Sequence, residues 1–372
     1  MKAISLKPGT TALQLTSRDE PSITAPDEVK LQVLRVGICG TDREEAAGGR
    51  AMAPAGRQDL IIGHEMFGKV VETGKDVKSV KTGDFAVFTV RRGCGKCLPC
   101  QMDRPDMCRT GQFMERGIWG LDGYQTEYVT DREKYLVKVP AEIESAGVLL
   151  EPLSVAEKAI EEAVRIQFAR LPDACSTPEW LNGKKCLVAG LGPIGLLAAL
   201  ALRLRGAEVY GLDIVDPETA RPKWIEKIGG HYINSRGANA RSTASGKTGD
   251  STGQMDMVFE AAGIASLDFS LLDFLAHDGI YVLTGIPGGD RPLQIPGAEI
   301  MRRLVLYNQA IAGSVNAAHG HFRMAANDLL KCAAMWGDHA EKLITNRYKA
   351  EAFKDVFTKH SPDEIKAVIE WA

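Results

Sequence analysis

The feature that most constrains this chain is a glycine-rich turn between a short apolar run and an apolar helix. The turn is Gly190-Leu191-Gly192-Pro193-Ile194-Gly195, which fits the spacing G-x-G-x-x-G. The first glycine of such a turn permits a tight reversal, the second lets the backbone approach a pyrophosphate, and the third lets helix pack on strand. The helix N-terminus then offers free N–H groups to phosphates. We predict dinucleotide contacts at these residues: Gly190, Gly192, Pro193, Ile194 and Gly195.

An acid at the end of the next apolar run supports this prediction. The run covers residues 208–213 and ends in Asp213, which lies 18 residues after Gly195. An acid at this distance bonds a ribose 2′-OH. The first arginine beyond it is Arg221. Because a carboxylate repels a 2′-phosphate, the sequence predicts a preference for NAD over NADP. The alternative is a βαβ crossover with a structural role only.

The periodicity of the hydrophobic residues changes along the chain. Residues 1–90 contain short alternating runs separated by turns, which predict a β-rich, partly open barrel. Residues 183–316 alternate strands and helices. The six predicted strands of that region make a doubly wound parallel sheet, so the fold class is α/β. A helix is predicted over residues 151–170, because apolar side chains recur there at helical spacing.

Composition sets outer limits on the function. The chain has 372 residues, of which 45% are hydrophobic and 25% charged, which suggests two globular domains. A formal net charge of −3 gives no electrostatic basis for binding nucleic acid or an acidic membrane. The first residues lack the apolar region of a signal peptide, and no apolar run reaches the about 18 residues of a membrane span. We therefore expect a cytoplasmic protein without nucleic-acid or membrane partners.

Four of the eight cysteines form one cluster with metal-binding spacing. Cys94, Cys97, Cys100 and Cys108 read C-x2-C-x2-C-x7-C, which brings four thiolates within reach of one tetrahedral ion. A site closed by four thiolates has no open position, so the predicted zinc ion is structural. An iron–sulfur cluster is the alternative, but the spacing does not match its usual runs.

A second candidate metal site is scattered along the chain. A catalytic zinc ion takes three protein ligands of Cys, His or carboxylate type and keeps an open position. Cys39, His64 and Glu151 supply one of each. Each also has a structural interpretation: a buried apolar thiol, a hydrogen-bonded histidine, and a glutamate at a helix start.

Taken together, these motifs resemble those of the zinc-dependent medium-chain dehydrogenase/reductase family. The resemblance rests, in the family's order, on Cys39-Gly40-Thr41-Asp42, Gly63-His64-Glu65, the four-cysteine lobe, Glu151-Pro152 and the glycine turn. Segments 39–44, 91–95, 135–140, 157–162 and 313–316 are similar to the archaeal-type glucose dehydrogenase branch. The resemblance implies a GroES-like catalytic domain over 1–181 with a zinc lobe at 94–108, a Rossmann domain over 182–316, and a segment 317–372 that returns to the catalytic domain.

The family's site residues can be placed on this chain one by one. The resemblance implies catalytic zinc ligands at Cys39 and His64, with either Glu65 or Glu151 as the further ligand of the resting zinc. Thr41 matches the residue that contacts the substrate oxygen, and Asp42 matches the carboxylate that orients the histidine. Sugar contacts are implied at Glu115, Glu151 and Asn316. Further cofactor contacts are predicted at Gly263, Gly285 and Asn316.

The activity implied by the resemblance is oxidation of a glucose-like aldose at C1 to its lactone, with hydride transfer to NAD(P). It implies two zinc ions per subunit and a homodimer or homotetramer. One departure concerns the substrate, because Val90 stands where some members of the branch have an asparagine. The alternatives are a zinc-dependent polyol or L-threonine dehydrogenase and, in another class, a cofactor-binding protein without activity.

Overall fold

The computed structural model describes residues 1–172, 174, 178–236, 254–289, 292–358, 361 and 363–372. It divides into two compact units. Unit 1 comprises Met1–Ser154 and Asn316–Ala372, and unit 2 comprises Val155–Val315. The domain boundaries predicted at 181/182 and 316/317 stay predictions.

The strands of the described residues, in chain order, are β1 Lys2–Leu6, β2 Leu13–Ser17, β3 Glu28–Ile38, β4 Leu60–Ile61, β5 Glu65–Thr73, β6 Phe85–Phe88, β7 Arg91–Arg92, β8 Met114–Arg116, β9 Gly120–Leu121, β10 Tyr128–Arg132, β11 Leu136–Val139, β12 Lys185–Ala189, β13 Glu208–Asp213, β14 His231–Asn234, β15 Met255–Glu260, β16 Leu275–Leu283, β17 Ala310–Gly313, β18 Ile344–Lys349 and β19 Lys366–Glu370.

The α-helices of the described residues are α1 Gly40–Ala46, α2 Leu98–Gln101, α3 Leu150–Arg170, α4 Pro193–Leu204, α5 Ala220–Lys227, α6 Ala265–Leu271, α7 Gly297–Leu306, α8 His319–Trp336 and α9 Phe353–Thr358. Short 3-10 helices lie at Pro105–Met107, Glu133–Tyr135, Ala141–Leu149, Pro178–Leu181, Leu272–Phe274, Gly337–His339, Glu341–Leu343 and Ala350–Ala352.

Unit 1 is built around β3, the longest strand of its largest sheet. The sheet has the order β11-β6-β5-β3-β19-β18, and β10 also pairs with β3. Val29, Leu31 and Val33 are fully buried, as their alternation in the sequence predicts. The strands β18 and β19 come from the far end of the chain, and Ile38 of β3 pairs with Ala367 of β19. This pairing brings the C-terminal segment to the carboxyl end of β3.

Unit 2 contains the parallel sheet that the sequence predicts. Its order is β14-β13-β12-β15-β16-β17, and every neighbouring pair is parallel. The strand β13 covers the predicted run 208–213. In β16, Leu275 pairs with Met255 ahead of a bulge. The order reverses direction between β12 and β15, which is where ligands bind in doubly wound sheets. The predicted fold class is confirmed.

No α-helix in the described part of the chain is both long enough and apolar enough to cross a bilayer.

Candidate metal centres and cofactor-binding turn

Three predicted metal ligands converge where β3 ends and β5 begins. Cys39 caps the N-terminus of α1, directly after β3, and Glu65 is the first residue of β5. One donor atom from each of Cys39, His64 and Glu65 lies within 4.8 Å of the others. A Cβ atom at Gly37 would lie 2.1 Å from Glu65 Oε2. Only a glycine at this position leaves enough room for the Glu65 carboxylate. His64 and Glu65 are buried and Cys39 is half-buried, and sulfur, nitrogen and oxygen donors in one such cluster suit zinc.

Asp42 lies next to two of the three donors, Cys39 and His64. Its Oδ2 accepts a hydrogen bond of 2.7 Å from the Cys39 N–H, and its Oδ1 lies 3.4 Å from His64 Nδ1. This arrangement turns Nδ1 towards Asp42 and leaves Nε2 for a metal ion, as is usual for metal-binding histidines. Burial alone would lower the pKa of His64, but the Asp42 carboxylate raises it well above its ordinary value. Since a metal ion binds the neutral imidazole, the proton competes with the metal at this ring.

Lys366, which sequence reasoning missed, lies inside the same cluster. Its Nζ donates to Glu65 Oε1 at 2.8 Å, to Glu65 Oε2 at 2.6 Å and to the Ile38 carbonyl at 3.2 Å. Both side chains are 2% exposed. Burial would lower the pKa of Lys366, yet the Glu65 carboxylate raises it, so the lysine is a cation here. In this arrangement both oxygens of Glu65 are occupied by Lys366, and a metal ion would have to share them.

The other two residues predicted at this site lie beside the cluster. Glu151, on α3, is buried but does not belong to the set of donors within 4.8 Å. Burial, with a further contribution from Glu65, raises the pKa of Glu151 to about 7. Thr41 Oγ1 lies 3.9 Å from Cys39 Sγ. Ligation by Glu151 and substrate contact by Thr41 stay predictions.

The four clustered thiols meet in space. The sulfur atoms of Cys94, Cys97, Cys100 and Cys108 all lie within 4.8 Å of one another. The Cys94–Cys100 separation is 3.9 Å, which matches the about 3.8 Å edge of a tetrahedron with Zn–S bonds of about 2.3 Å. Hydrogen bonds from Thr110 and from backbone N–H groups lower the pKa of Cys94 to about 5, which favours the thiolate that a metal requires.

The two predicted sugar-contacting residues are bonded to each other. Asn316 Nδ2 donates to Glu115 Oε1 at 2.8 Å across 201 residues of sequence. Arg91, for which no site role was predicted, donates to the same oxygen from Nε at 3.0 Å and from Nη2 at 2.9 Å. Asn316 has a φ of +64°, a conformation that asparagine tolerates better than most residues. Glu115 is thus buried, charge-paired and fixed in orientation.

The glycine turn in unit 2 has the local geometry that its spacing predicts. Gly190 has a φ of +87°, and a Cβ atom at Gly195 would lie 1.8 Å from the Gly190 carbonyl oxygen. Gly192 caps the N-terminus of α4, and a Cβ atom there would meet nothing within 4 Å, so this side is open to a ligand. Pro193 and Ile194 are the half-buried first residues of α4.

Asp213 ends β13 next to this turn. Its Oδ2 accepts a hydrogen bond of 2.7 Å from the Leu191 N–H, and its Oδ1 accepts one of 2.6 Å from the Ile214 N–H. Arg221 Nη1 lies 3.8 Å from Oδ2. The carboxylate is therefore held against the turn by the backbone, with a cation at its side. Two further predicted cofactor residues, Gly263 and Gly285, follow β15 and β16 in the same unit.

A doubly wound parallel sheet with a glycine turn, a cluster of sulfur, nitrogen and oxygen donors and a four-thiol lobe together define the class of zinc-type dinucleotide-dependent oxidoreductases. Comparisons with known proteins narrow this class. The family profile described as "Alcohol dehydrogenase GroES-like domain" matches residues 25–141, and that described as "Glucose dehydrogenase C-terminus" matches residues 144–371.

Curated relatives and solved structures agree with the profiles. A glucose 1-dehydrogenase of Methanocella arvoryzae is 36% identical over 100% of this chain and 99% of its own length, and a glucose 1-dehydrogenase of Vulcanisaeta moutnovskia is 38% identical over the same shares. A glucose dehydrogenase structure from Haloferax mediterranei, in complex with NADP, Zn and gluconolactone, is 31% identical with a TM-score of 0.87 and covers 100% of this chain and 99% of that one. The chain therefore belongs to the zinc-dependent medium-chain dehydrogenase/reductase family, in its archaeal-type glucose dehydrogenase branch.

Proposed function

We propose that this protein oxidises an aldose of the glucose type at C1 to its lactone, using zinc and transferring a hydride to NAD(P). The observation that carries the proposal is the donor cluster of Cys39, His64 and Glu65 in a chain that matches glucose 1-dehydrogenases over its whole length. The gluconolactone in the related Haloferax structure is the product that such an oxidation would form.

The residues of the donor cluster fit a zinc ion, since His64 presents one nitrogen to it and Asp42 holds the other. Zinc, when bound, supplies a Lewis acid that lowers the pKa of the sugar's C1 hydroxyl. We propose that Thr41, whose hydroxyl lies 3.9 Å from Cys39 Sγ, carries the proton of that hydroxyl towards solvent. A bound nicotinamide cofactor would supply the acceptor for the C1 hydride.

Recognition of the sugar is proposed for Glu115 and Asn316. Their mutual hydrogen bond and the two bonds from Arg91 fix the carboxylate, so its remaining lone pairs can discriminate between hydroxyl orientations. Val90 is buried at 2% exposure and offers no polar atom from its side chain. We therefore expect the enzyme to accept more than one aldose, since the hydroxyl near Val90 has one partner fewer.

The proposal is tested by initial rates of NAD and NADP reduction with glucose, galactose, xylose, arabinose, sorbitol, threonine and ethanol. We expect turnover with aldoses, and loss of this turnover on chelation or in Cys39→Ala. The matched control is Cys332→Ala, which changes a buried cysteine outside the cluster and should retain activity. Turnover with only sorbitol or threonine would refute sugar oxidation, and zinc and cofactor binding without any turnover would support the non-catalytic alternative.

A preference for NAD over NADP is proposed from Asp213. The two backbone N–H groups hold its carboxylate in place, where it accepts a ribose hydroxyl and repels a 2′-phosphate. Arg221 opposes this effect, because a guanidinium close by attracts phosphate. We expect Asp213→Asn to lower and Arg221→Gln to raise the ratio of NAD to NADP kcat/KM. A higher kcat/KM for NADP in the wild type would refute the preference.

A homodimer is proposed from the edge of the sheet in unit 2. Among the described residues β17 has a neighbour on one side only, and Ile311 on it is 44% exposed. The helix α7 has no buried residue, and Val305 on it is 76% exposed. An exposed apolar edge strand pairs naturally with its own copy about a two-fold axis. Light scattering should show a dimer for the wild type and a monomer for Ile311→Lys. The control variant Leu98→Lys, on unit 1, should remain a dimer. A monomeric wild type would refute dimerisation through this surface.

A further inference from the structure

A buried glutamate at the carboxyl end of β15 has no part in the chemistry described above. Glu260 is fully buried. Its Oε1 accepts hydrogen bonds of 2.6 Å from the N–H groups of both Ala262 and Gly263, and its Oε2 accepts one of 3.0 Å from the N–H of Gly285. A single carboxylate thus receives three backbone donors, which is an arrangement of strong, charge-assisted bonds.

These three donors belong to two different loops. Ala262 and Gly263 follow β15, whereas Gly285 follows β16. The loops lie so close together that a Cβ atom at Gly285 would be 2.3 Å from the Gly263 nitrogen and 2.7 Å from Glu260 Oε2. Glycine at 285 lets the two loops approach this closely, and the Glu260 carboxylate is bonded to both of them.

The loop after β15 also packs against the glycine turn. A Cβ atom at Gly190 would lie 2.8 Å from the Ala262 Cα, and the Ala261 N–H donates to the Ala189 carbonyl at 2.8 Å. The strands β12 and β15 flank the point where the sheet order reverses, and ligands bind at the carboxyl ends of the strands there. The segment that Glu260 holds is therefore a wall of the predicted dinucleotide site.

We propose that Glu260 is the positioning residue that holds the loops after β15 and β16 in the arrangement that receives the nicotinamide half of the cofactor. The inference rests on the proposed function, since it requires that a dinucleotide binds. Each half of a doubly wound sheet binds one mononucleotide. Asp213, on β13, serves the adenosine half, so the loops after β15 and β16 belong to the other half.

The backbone at this point is anchored independently of the carboxylate. The Thr284 N–H and hydroxyl donate to the Glu260 carbonyl at 3.0 Å and 2.6 Å. A change confined to the side chain should therefore leave β15 and β16 paired and alter only the loops beyond them.

The test compares Glu260→Gln with the wild type in binding NADH and, separately, ADP, by calorimetry. The glutamine amide keeps one acceptor oxygen but replaces the other by an NH2 group, which faces a backbone N–H donor and cannot bond it. We therefore expect the Kd for NADH to rise at least tenfold, or by about 1.4 kcal/mol. The Kd for ADP should stay unchanged within about twofold. In turnover, KM for the cofactor should rise while KM for the sugar stays the same. Glu226→Gln, on the exposed face of α5, is the matched control and should change neither affinity.

Glu260→Asp provides a second variant if the glutamine variant fails to fold. It keeps the charge but is one methylene too short to reach both loops, so NADH binding should again weaken selectively. Unchanged NADH binding in either folded variant would overturn this inference and leave the proposed function standing. Equal weakening of NADH and ADP would also overturn it, because it would show a general structural effect. A wild type that binds neither ligand would refute the proposed function itself, and this inference with it.

Discussion

Replacing Lys366 by methionine should destabilise unit 1 far more than an ordinary loss of one ion pair. The substitution removes both hydrogen bonds to Glu65, of 2.8 and 2.6 Å, and leaves a carboxylate that is 2% exposed without its cation. Breaking a buried pair by removing one partner costs about 3–5 kcal/mol, because the remaining charge stays desolvated. We expect this loss in the free energy of unfolding of the metal-free protein, measured by urea titration with circular dichroism.

Two further variants make the interpretation specific. Lys138→Met removes an exposed partner of Asp84, in a pair of 2.8 Å with Lys138 49% exposed, and should cost at most about 1 kcal/mol. The double variant Lys366→Met with Glu65→Leu removes both buried charges and should be more stable than Lys366→Met alone. A cost for Lys366→Met no larger than that for Lys138→Met, or no recovery in the double variant, would refute the reasoning.

The same series tests whether Glu65 is a metal ligand. A zinc ion bound to Glu65 replaces part of the positive charge that Lys366 supplies. We therefore expect the cost of Lys366→Met to be smaller in zinc-saturated protein than in metal-free protein. Equal costs in the two states would contradict ligation by Glu65 and leave Cys39 and His64 as the ligands to be tested.

Three other predictions follow from single sites. Burial and the neighbouring Glu260 raise the pKa of Asp268 to about 7 from its ordinary 3.8, and the Tyr281 hydroxyl donates to the backbone carbonyl of Asp268. The folded state therefore binds a proton that the unfolded state loses, and stability should fall as pH rises from about 4 to 7. In thermal scans above pH 7, Asp268→Asn should melt at a higher temperature than the parent. Cys97→Ser should lower the zinc content from two ions to one per chain by elemental analysis, with a lower Tm; two retained ions would contradict the structural site. Asn316→Gly, which tolerates the positive φ, should raise KM for the sugar about tenfold; an unchanged KM would remove Asn316 from sugar recognition.

Much of the fold was accessible from the sequence, because the signals that specify it are local. The glycine turn at 190–195, the apolar helix after it and the acid at 213 lie within one βαβ unit, where spacing alone fixes which residues share a turn or a face. The family and the fold class predicted in this way are confirmed by the comparisons and by the parallel order of the sheet. The four-cysteine lobe was equally readable, since its thiols are separated by few residues.

The contacts within the sites were not accessible, because they join distant parts of the chain. Lys366 and Glu65 are 301 residues apart, and no spacing rule connects a lysine near the C-terminus with a glutamate after β4. Glu260 looked like an ordinary strand residue, since its three donors are backbone N–H groups that only the folding of two loops brings together. The individual residue roles at the zinc, sugar and cofactor sites remain predictions for the experiments above.

The sequence by itself determined the class of the protein: a nucleotide-binding sheet, a β-rich unit, and ligands of the types that zinc requires. Only the tertiary structure decided how those ligands are held. The pairing of β3 with β19 places a buried cation on Glu65, and the packing of glycine loops around Glu260 places three N–H groups on one carboxylate. The physical reason is that residue types and local spacing select a chemistry, whereas the charge and orientation of a buried group depend on neighbours that the chain supplies from far away.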